Sequence, residues 1–236
     1  MTMARPAPRP PNRLLAWLPK ADYDWLAPLL ESVQLSFKQV IHTTREPISH
    51  VYFPNSGIIS AMKVMEDGRA IEVATIGNEG MVGLTAFVGD PHSPSEMVVQ
   101  IAGEGVRLCM KALEREARND GPLRRALVLY NTAFQVQVSY SVACNGLHTI
   151  DKRCCRWLLT TRDRIGSDEL PLTHEFLGVM LGVRRSSVTE VLRALQERGL
   201  IQTRRGMIQI LDRPGMEAMS CECYGAIVRE YDRLLG

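Results

Sequence analysis

The sequence predicts an α+β protein: an N-terminal β-roll, one long helix, and a C-terminal winged helix-turn-helix. Three observations carry this reading. Short runs rich in Val and Ile, cut by turn signals, fill residues 35–108. A helical period then holds from Pro122 to about Asn145-Gly146. Beyond it, residues 174–194 read as two helices joined at Gly182, with a basic β-hairpin behind them.

Taken in order, Met1 to Asn12 is rich in Pro, Arg and Ala and lacks an apolar stretch after it. It reads as a short disordered tail rather than a secretory leader, so the expected location is cytoplasmic. Residues 13–33 look helical, and Pro19 divides them into two short helices. The roll follows, its strands separated by Pro54-Asn55-Ser56-Gly57, Glu66-Asp67-Gly68, Gly77-Asn78-Glu79-Gly80 and Gly103-Glu104-Gly105. Ile71 to Ile76 alternates as a strand with one buried face, and Asp67-Gly68 suits a two-residue hairpin turn.

Pro122 opens the long helix. One stripe on it runs Leu123, Leu127, Tyr130, Phe134, Gln137, Ser141, and a neighbouring stripe runs Ala126, Leu129, Ala133, Val136, Tyr140, Ala143. Two stripes imply two partners. The first is assigned to the same helix of a second subunit and the other to the roll. A second helix from about Ile150 to Ile165 ends at Gly166. The expected segments are therefore 1–12 tail, 13–120 roll, 121–146 dimerisation helix and 147–236 winged helix-turn-helix.

The helix-turn-helix is the most specific motif. Thr173 caps the first helix, Gly182 supplies a positive φ at the turn, and Gly178 permits close approach. Val188, Val191 and Leu192 form the inner face of the second helix. Its outer side carries Arg185, Ser186, Thr189, Glu190 and Arg193, with Arg184 and Ser187 at its start. Arg can grip guanine through two hydrogen bonds, and Glu can accept from cytosine. Base reading is assigned to Arg185, Ser186 and Glu190, and Thr189 to a phosphate or thymine methyl. Arg204-Arg205-Gly206 forms the tip of the following hairpin, where both arginines would meet phosphates.

Composition fits. A chain of 236 residues, 45% apolar and 23% charged, can bury two modest cores. No apolar run is long enough to span a bilayer, so no membrane partner is expected. The net charge of +2 is uninformative, but six arginines against two acids between Arg184 and Arg205 make a local basic face.

These pieces, in this order, resemble the family of the cyclic-AMP receptor protein and the fumarate–nitrate regulator. The resemblance runs from about Leu14 to Leu211. It rests on Leu172 to Gly178, on Gly182 to Val188, on Val51-Tyr52-Phe53-Pro54 with Ser56-Gly57, and on Ile76 to Gly83. It implies a sequence-specific transcriptional regulator that binds an inverted repeat in double-stranded DNA as a homodimer, with RNA polymerase as a further partner. It also implies an effector pocket at Ile76, Gly77, Glu79, Gly80, Val82 and Gly83. Cyclic-nucleotide binders of the family carry Gly-Glu and then an Arg followed by a small residue. Here Gly83 precedes Leu84-Thr85-Ala86, and no arginine stands between Arg69 and Arg107. A buried cyclic phosphate would lack its cation, so the effector is unknown and not expected to be cyclic AMP.

The six cysteines are Cys109, Cys144, Cys154, Cys155, Cys221 and Cys223. None forms a C-x-x-C pair, and none precedes Cys109, so the family's N-terminal iron–sulfur sensor is absent. Six free thiols, no metal and no cofactor are expected. Haem stays open, since His42, His50, His92 and His148 are present, although a lone His is far more often structural. Cys154-Cys155, beside Lys152, Arg153 and Arg156, reads as packing thiols or, less favoured, as a redox handle at the hinge. Two other classes fit the residues less well. A cupin-like enzyme would need clustered ligands where the roll offers only scattered His42, His50 and His92, and a cyclic-nucleotide module without DNA function would need the missing arginine.

Overall fold

The computed structural model describes residues 10–44 and 46–236. Most of the expected tail therefore lies outside the described residues. Asn12 does not behave as tail: it is buried, its Nδ2 donates to Pro54 O (2.8 Å) and Gly80 O (3.0 Å), and its Oδ1 accepts from Leu15 N. It thus caps α1 (Arg13–Ala16) and fastens that helix to the roll. Pro19 then separates α1 from α2 (Lys20–Leu26), as expected.

Eight residues of coil or fewer separate most strands of the roll. These are β1 (Glu31–Leu35), β2 (Val40–His42), β3 (His50–Pro54), β4 (Ile58–Val64) and β5 (Ala70–Ile76), then β6 (Glu96–Ile101) and β7 (Gly103–Cys109), with the one-turn α3 (Leu84–Phe87) between β5 and β6. They form two antiparallel sheets, β1-β7-β3 and β2-β6-β4-β5. Alternation marks the inner face of β3, where Val51 and Phe53 are almost fully buried, whereas β4 is covered on both faces from Ile58 to Met62. The turn at Asp67-Gly68 sits where the sequence places it, with Gly68 at φ 81°.

After α4 (Met110–Glu116), α5 runs Pro122–Leu147, with Pro at the N-terminal position where a missing N–H costs nothing. At 1.5 Å per residue it is about 39 Å long. Its first stripe is covered from within the chain. Leu123, Leu127, Tyr130, Gln137 and Ser141 are buried and Phe134 is half-buried, against the roll and against α10 (Glu222–Leu235). Tyr130 Oη donates to Met81 O (3.2 Å), and Gln137 Nε2 donates to Thr75 O (2.9 Å). This corrects the assignment of those six residues to a second subunit. The reason is the C-terminal helix, which folds back so that Ile227, Tyr231 and Leu235 join Leu123, Leu127 and Tyr130 in one core.

The remaining elements are α6 (Ile150–Ile165), β8 (Glu169–Leu170), α7 (His174–Leu181), α8 (Arg185–Glu197), β9 (Ile201–Arg204), β10 (Met207–Ile210) and α9 (Arg213–Met219). The last three strands form the sheet β8-β10-β9. Gly166 ends α6 at φ 66°, in the left-handed region that Gly enters without strain. No helix among the described residues is long and apolar enough to cross a membrane.

Candidate nucleic-acid interface

The helix-turn-helix forms as its residues require. Thr173 Oγ1 accepts from Phe176 N (3.1 Å) and so satisfies one of the unpaired amides at the start of α7. Gly182, at φ 64°, turns the chain toward α8. A Cβ on Gly178 would lie 3.1 Å from Val183 O, so the small residue accommodates the backbone of the turn itself. Val188, Leu192 and Leu195 point inward and are buried together with Leu177, Leu181 and Trp157.

The outward side of α8 is open. Arg184, Arg185, Ser186, Thr189, Glu190 and Arg193 are all exposed, and Ser187 is half-buried. Among the described residues Arg184, Arg185 and Glu190 make no ion pair, while Arg193 Nε pairs with Glu197 (2.9 Å). Thr189 Oγ1 donates to Arg185 O (3.1 Å) and lies 3.0 Å from His174 Nδ1. The hairpin of β9 and β10 projects Arg204 and Arg205 into solvent at its tip, with Gly206 at φ 72°. All ten residues expected at this surface therefore lie on one contiguous motif, nine of them exposed.

The expected effector residues divide. A cavity of about 310 Å³ lies between the roll and α5, and of the six only Ile76 and Gly83 line it. Gly77 and Glu79 turn toward α6, where Glu79 pairs with Arg164 (2.8 Å), Gly80 lies flat on the Tyr130 ring, and Val82 is buried beside β3. The cavity wall is instead mostly apolar, including Val73, Met97, Phe134 and Val138, with Asn131 and Gln135 contributed by α5. Lys63 is its one cation, and that ammonium already bonds Pro94 O.

Two buried polar links that sequence reading missed join the roll to the C-terminal half. Arg164, on α6, bonds Glu79, Thr75 and Gln137, and Gln137 in turn accepts from Tyr231 of α10 (2.9 Å). Glu72, on β5, accepts from Trp157 Nε1 (2.9 Å) and from Ser60 Oγ (2.6 Å). Burial pushes the Glu72 carboxyl up to about 7, against those two hydrogen bonds, which favour its charged form. Because the folded chain holds this proton more tightly than the unfolded chain, the junction should lose stability as pH rises from about 4.5 to about 7. Glu72→Gln, which keeps the shape without the charge, should remove roughly 1–3 kcal/mol of that pH dependence. Denaturant unfolding at several pH values checks this, and equal slopes for both proteins would refute it.

Cysteine placement agrees with the favoured sequence reading at Cys154 and Cys155 and departs from it elsewhere. Cys154 and Cys155 are fully buried on α6, and burial pushes both thiols up, Cys155 to about 12. They are packing thiols, not a redox handle. Cys144 on α5 and Cys221 at the cap of α10 have their Sγ atoms 3.5 Å apart. Cys223 Sγ lies 3.6 Å from His148 Nδ1, and the four ligand atoms all fall within 4.8 Å of one another. The hydrogen bond from Cys221, together with the nearby Arg156 guanidinium, pulls the Cys144 thiol below its ordinary value. The structure thus brings together four side chains that could hold a metal ion, a grouping that the cysteine spacings did not suggest. The signal was Cys144-x3-His148 on one helical face and Cys221-x-Cys223, two half-sites separated by most of the C-terminal domain.

A β-roll followed by a long helix and an exposed, basic winged helix-turn-helix defines a DNA-binding transcriptional regulator. The cyclic nucleotide-binding domain family matches residues 33–119 and the Crp-like helix-turn-helix domain family matches residues 152–219. With this pair of domains in this order, the chain belongs to the Crp/Fnr family of transcriptional regulators, which act as regulators rather than enzymes. Solved structures share the fold. FixK2 from Bradyrhizobium japonicum superposes with a TM-score of 0.71 at 19% identity, over 81% of this chain and 98% of that one. CLP, a c-di-GMP responsive global regulator from Xanthomonas campestris, gives 0.67 at 14% identity, over 82% and 100%. A transcriptional regulator of the CRP family from Thermus thermophilus gives 0.66 at 20% identity, over 82% and 96%. No curated protein sequence matches the chain at a significant level.

Proposed function

We propose that the chain binds an inverted-repeat operator as a homodimer, with α8 of each copy in the major groove of one half-site. The observation that carries this is the split of α8 into a buried apolar face and an exposed face holding Arg184, Arg185, Ser186, Glu190 and Arg193. The N-terminal turns of such a helix reach base edges, so Arg185, Ser186 and Glu190 read sequence. The Thr189 hydroxyl is held within the chain, which leaves its methyl group for a thymine. Thr173, Arg204 and Arg205 flank α8 and Ser187 lies in its first turn, where they would meet phosphates, with Arg184 and Arg193 adding charge.

The dimer seam is the face of α5 that the chain leaves open. Val128, Thr132, Gln135, Ser139, Val142 and Gly146 are all exposed and recur in steps of four and three, the spacing of a two-helix seam. Small residues at three of these positions let two helices approach closely. The cavity opens beside Asn131 and Gln135, so an effector there touches the seam helix directly. Its lining suits a small, largely apolar molecule with one polar end, and not a cyclic nucleotide, whose phosphate would find no arginine. RNA polymerase is the remaining partner that membership of the family suggests, the protein acting by binding and not by catalysis.

Selection from a random-sequence DNA pool tests the reading. An inverted repeat should emerge, and Arg185→Ala should cost about 1–3 kcal/mol on it and relax preference at one base pair per half-site. Arg204→Ala should weaken all sequences alike and make the salt dependence shallower by about one counterion. A pool that yields no motif, or a motif indifferent to Arg185→Ala, would sink the proposal.

A further inference from the structure

We propose that Cys144, His148, Cys221 and Cys223 form a closed zinc site that clips the C-terminal helix α10 to the end of α5. Their donor set, three sulfurs and one imidazole nitrogen, is that of structural zinc centres. The spacing fits as well. Zinc–sulfur bonds of about 2.3 Å and zinc–nitrogen bonds of about 2.0–2.1 Å place neighbouring ligand atoms of a tetrahedron about 3.5–3.8 Å apart. Cys144 Sγ to Cys221 Sγ is 3.5 Å, and Cys223 Sγ to His148 Nδ1 is 3.6 Å. The sulfurs are non-bonded at that distance, and all three cysteines are buried, with His148 partly so.

The surroundings are those a thiolate-rich centre needs. His148 presents Nδ1 to the cluster and its other nitrogen, Nε2, to Glu222 Oε1 at 3.3 Å, which orients the ring. Arg156 Nε donates to Cys144 Sγ at 3.3 Å. Three thiolates around one divalent ion leave a net negative charge, and this guanidinium offsets it. All four positions come from protein, so no place remains for water or substrate and the role is structural. Cys144 and His148 close α5, and α6 starts at Ile150, so the clip holds α10 at the point where the chain enters the DNA-binding half. Without it, α10 would be held by the apolar contacts of Ile227, Tyr231 and Leu235 and by the hydrogen bonds of Tyr231 to Gln137 and Tyr224 to Asp163, with nothing fastening its first turn to the end of α5.

The test uses the full chain purified without chelator. Elemental analysis should find one zinc per chain, and cobalt added to the chelator-stripped protein should give the strong visible bands of a tetrahedral site with a thiolate charge-transfer band. His148→Ala should weaken zinc binding at least about 100-fold, since losing even an outer partner of a ligand costs up to that much. His148→Cys, which restores a fourth donor, should retain the metal and so separates ligand loss from misfolding. A wild-type chain that takes up neither zinc nor cobalt, or whose mass shows a Cys144–Cys221 disulfide after anaerobic purification, would overturn the proposal. Zinc retained by His148→Ala at unchanged affinity would overturn the four-ligand assignment.

Discussion

Arg164→Met should lower the stability of the folded chain by about 3–5 kcal/mol, the cost of leaving a buried charge without its partner. Arg164 and Glu79 are each only 8% exposed, and the guanidinium also holds Thr75 of the roll and Gln137 of α5. Removing it strands the Glu79 carboxylate, whose remaining protein contact is the Gly77 amide at 3.1 Å. Adding Glu79→Gln to Arg164→Met should recover part of the loss, because the second change removes the unpaired charge. Denaturant unfolding followed by tryptophan fluorescence measures all three proteins. A deficit under about 1 kcal/mol, or no recovery in the double variant, would mean that the pair is not the link it is taken to be.

Val142→Asp should disrupt self-association by at least about 100-fold, since like charges brought together at an interface cost several kcal/mol. Val142 is 65% exposed on α5, and a two-fold axis along the seam would bring both copies together. Val142 lies mostly in solvent within the chain, so thermal unfolding of the dissociated protein should report an intact fold. Operator affinity should fall with dimerisation, because two half-sites are then bound independently. Leu127→Asp is the contrasting change. Leu127 is fully buried within the chain, and a charge there should unfold the roll–helix core rather than split a folded dimer. Analytical ultracentrifugation and circular dichroism of both variants distinguish the outcomes. A Val142→Asp protein that remains dimeric would remove the exposed seam.

Much of the fold was legible because its signals are local. Pro19, Pro122, Gly166 and Gly182 mark helix ends by backbone geometry alone, and each does so here. The basic surface of α8 was legible for the same reason, since residues one helical face apart need no third element to bring them together. Residues after Leu211 carried no such signal. The two helices there, α9 and α10, were not anticipated, and α10 decides most of what differs from the sequence reading.

Up to Leu211 the sequence by itself determined the main element types, their order and the buried faces of α5 and α8. Periodicity identified the stripe of Leu123, Leu127, Tyr130 and Gln137 correctly as buried. What covers that stripe is a different quantity. A pattern of apolar residues records that a face avoids water, and a second subunit or a returning C-terminal helix satisfies it equally well. Only the tertiary structure chose between them. It likewise turned Glu79 away from the cavity toward Arg164, and brought Cys221 and Cys223 to Cys144 and His148 across 77 residues of chain. Such meetings depend on how separate elements pack, and no spacing along the chain encodes them.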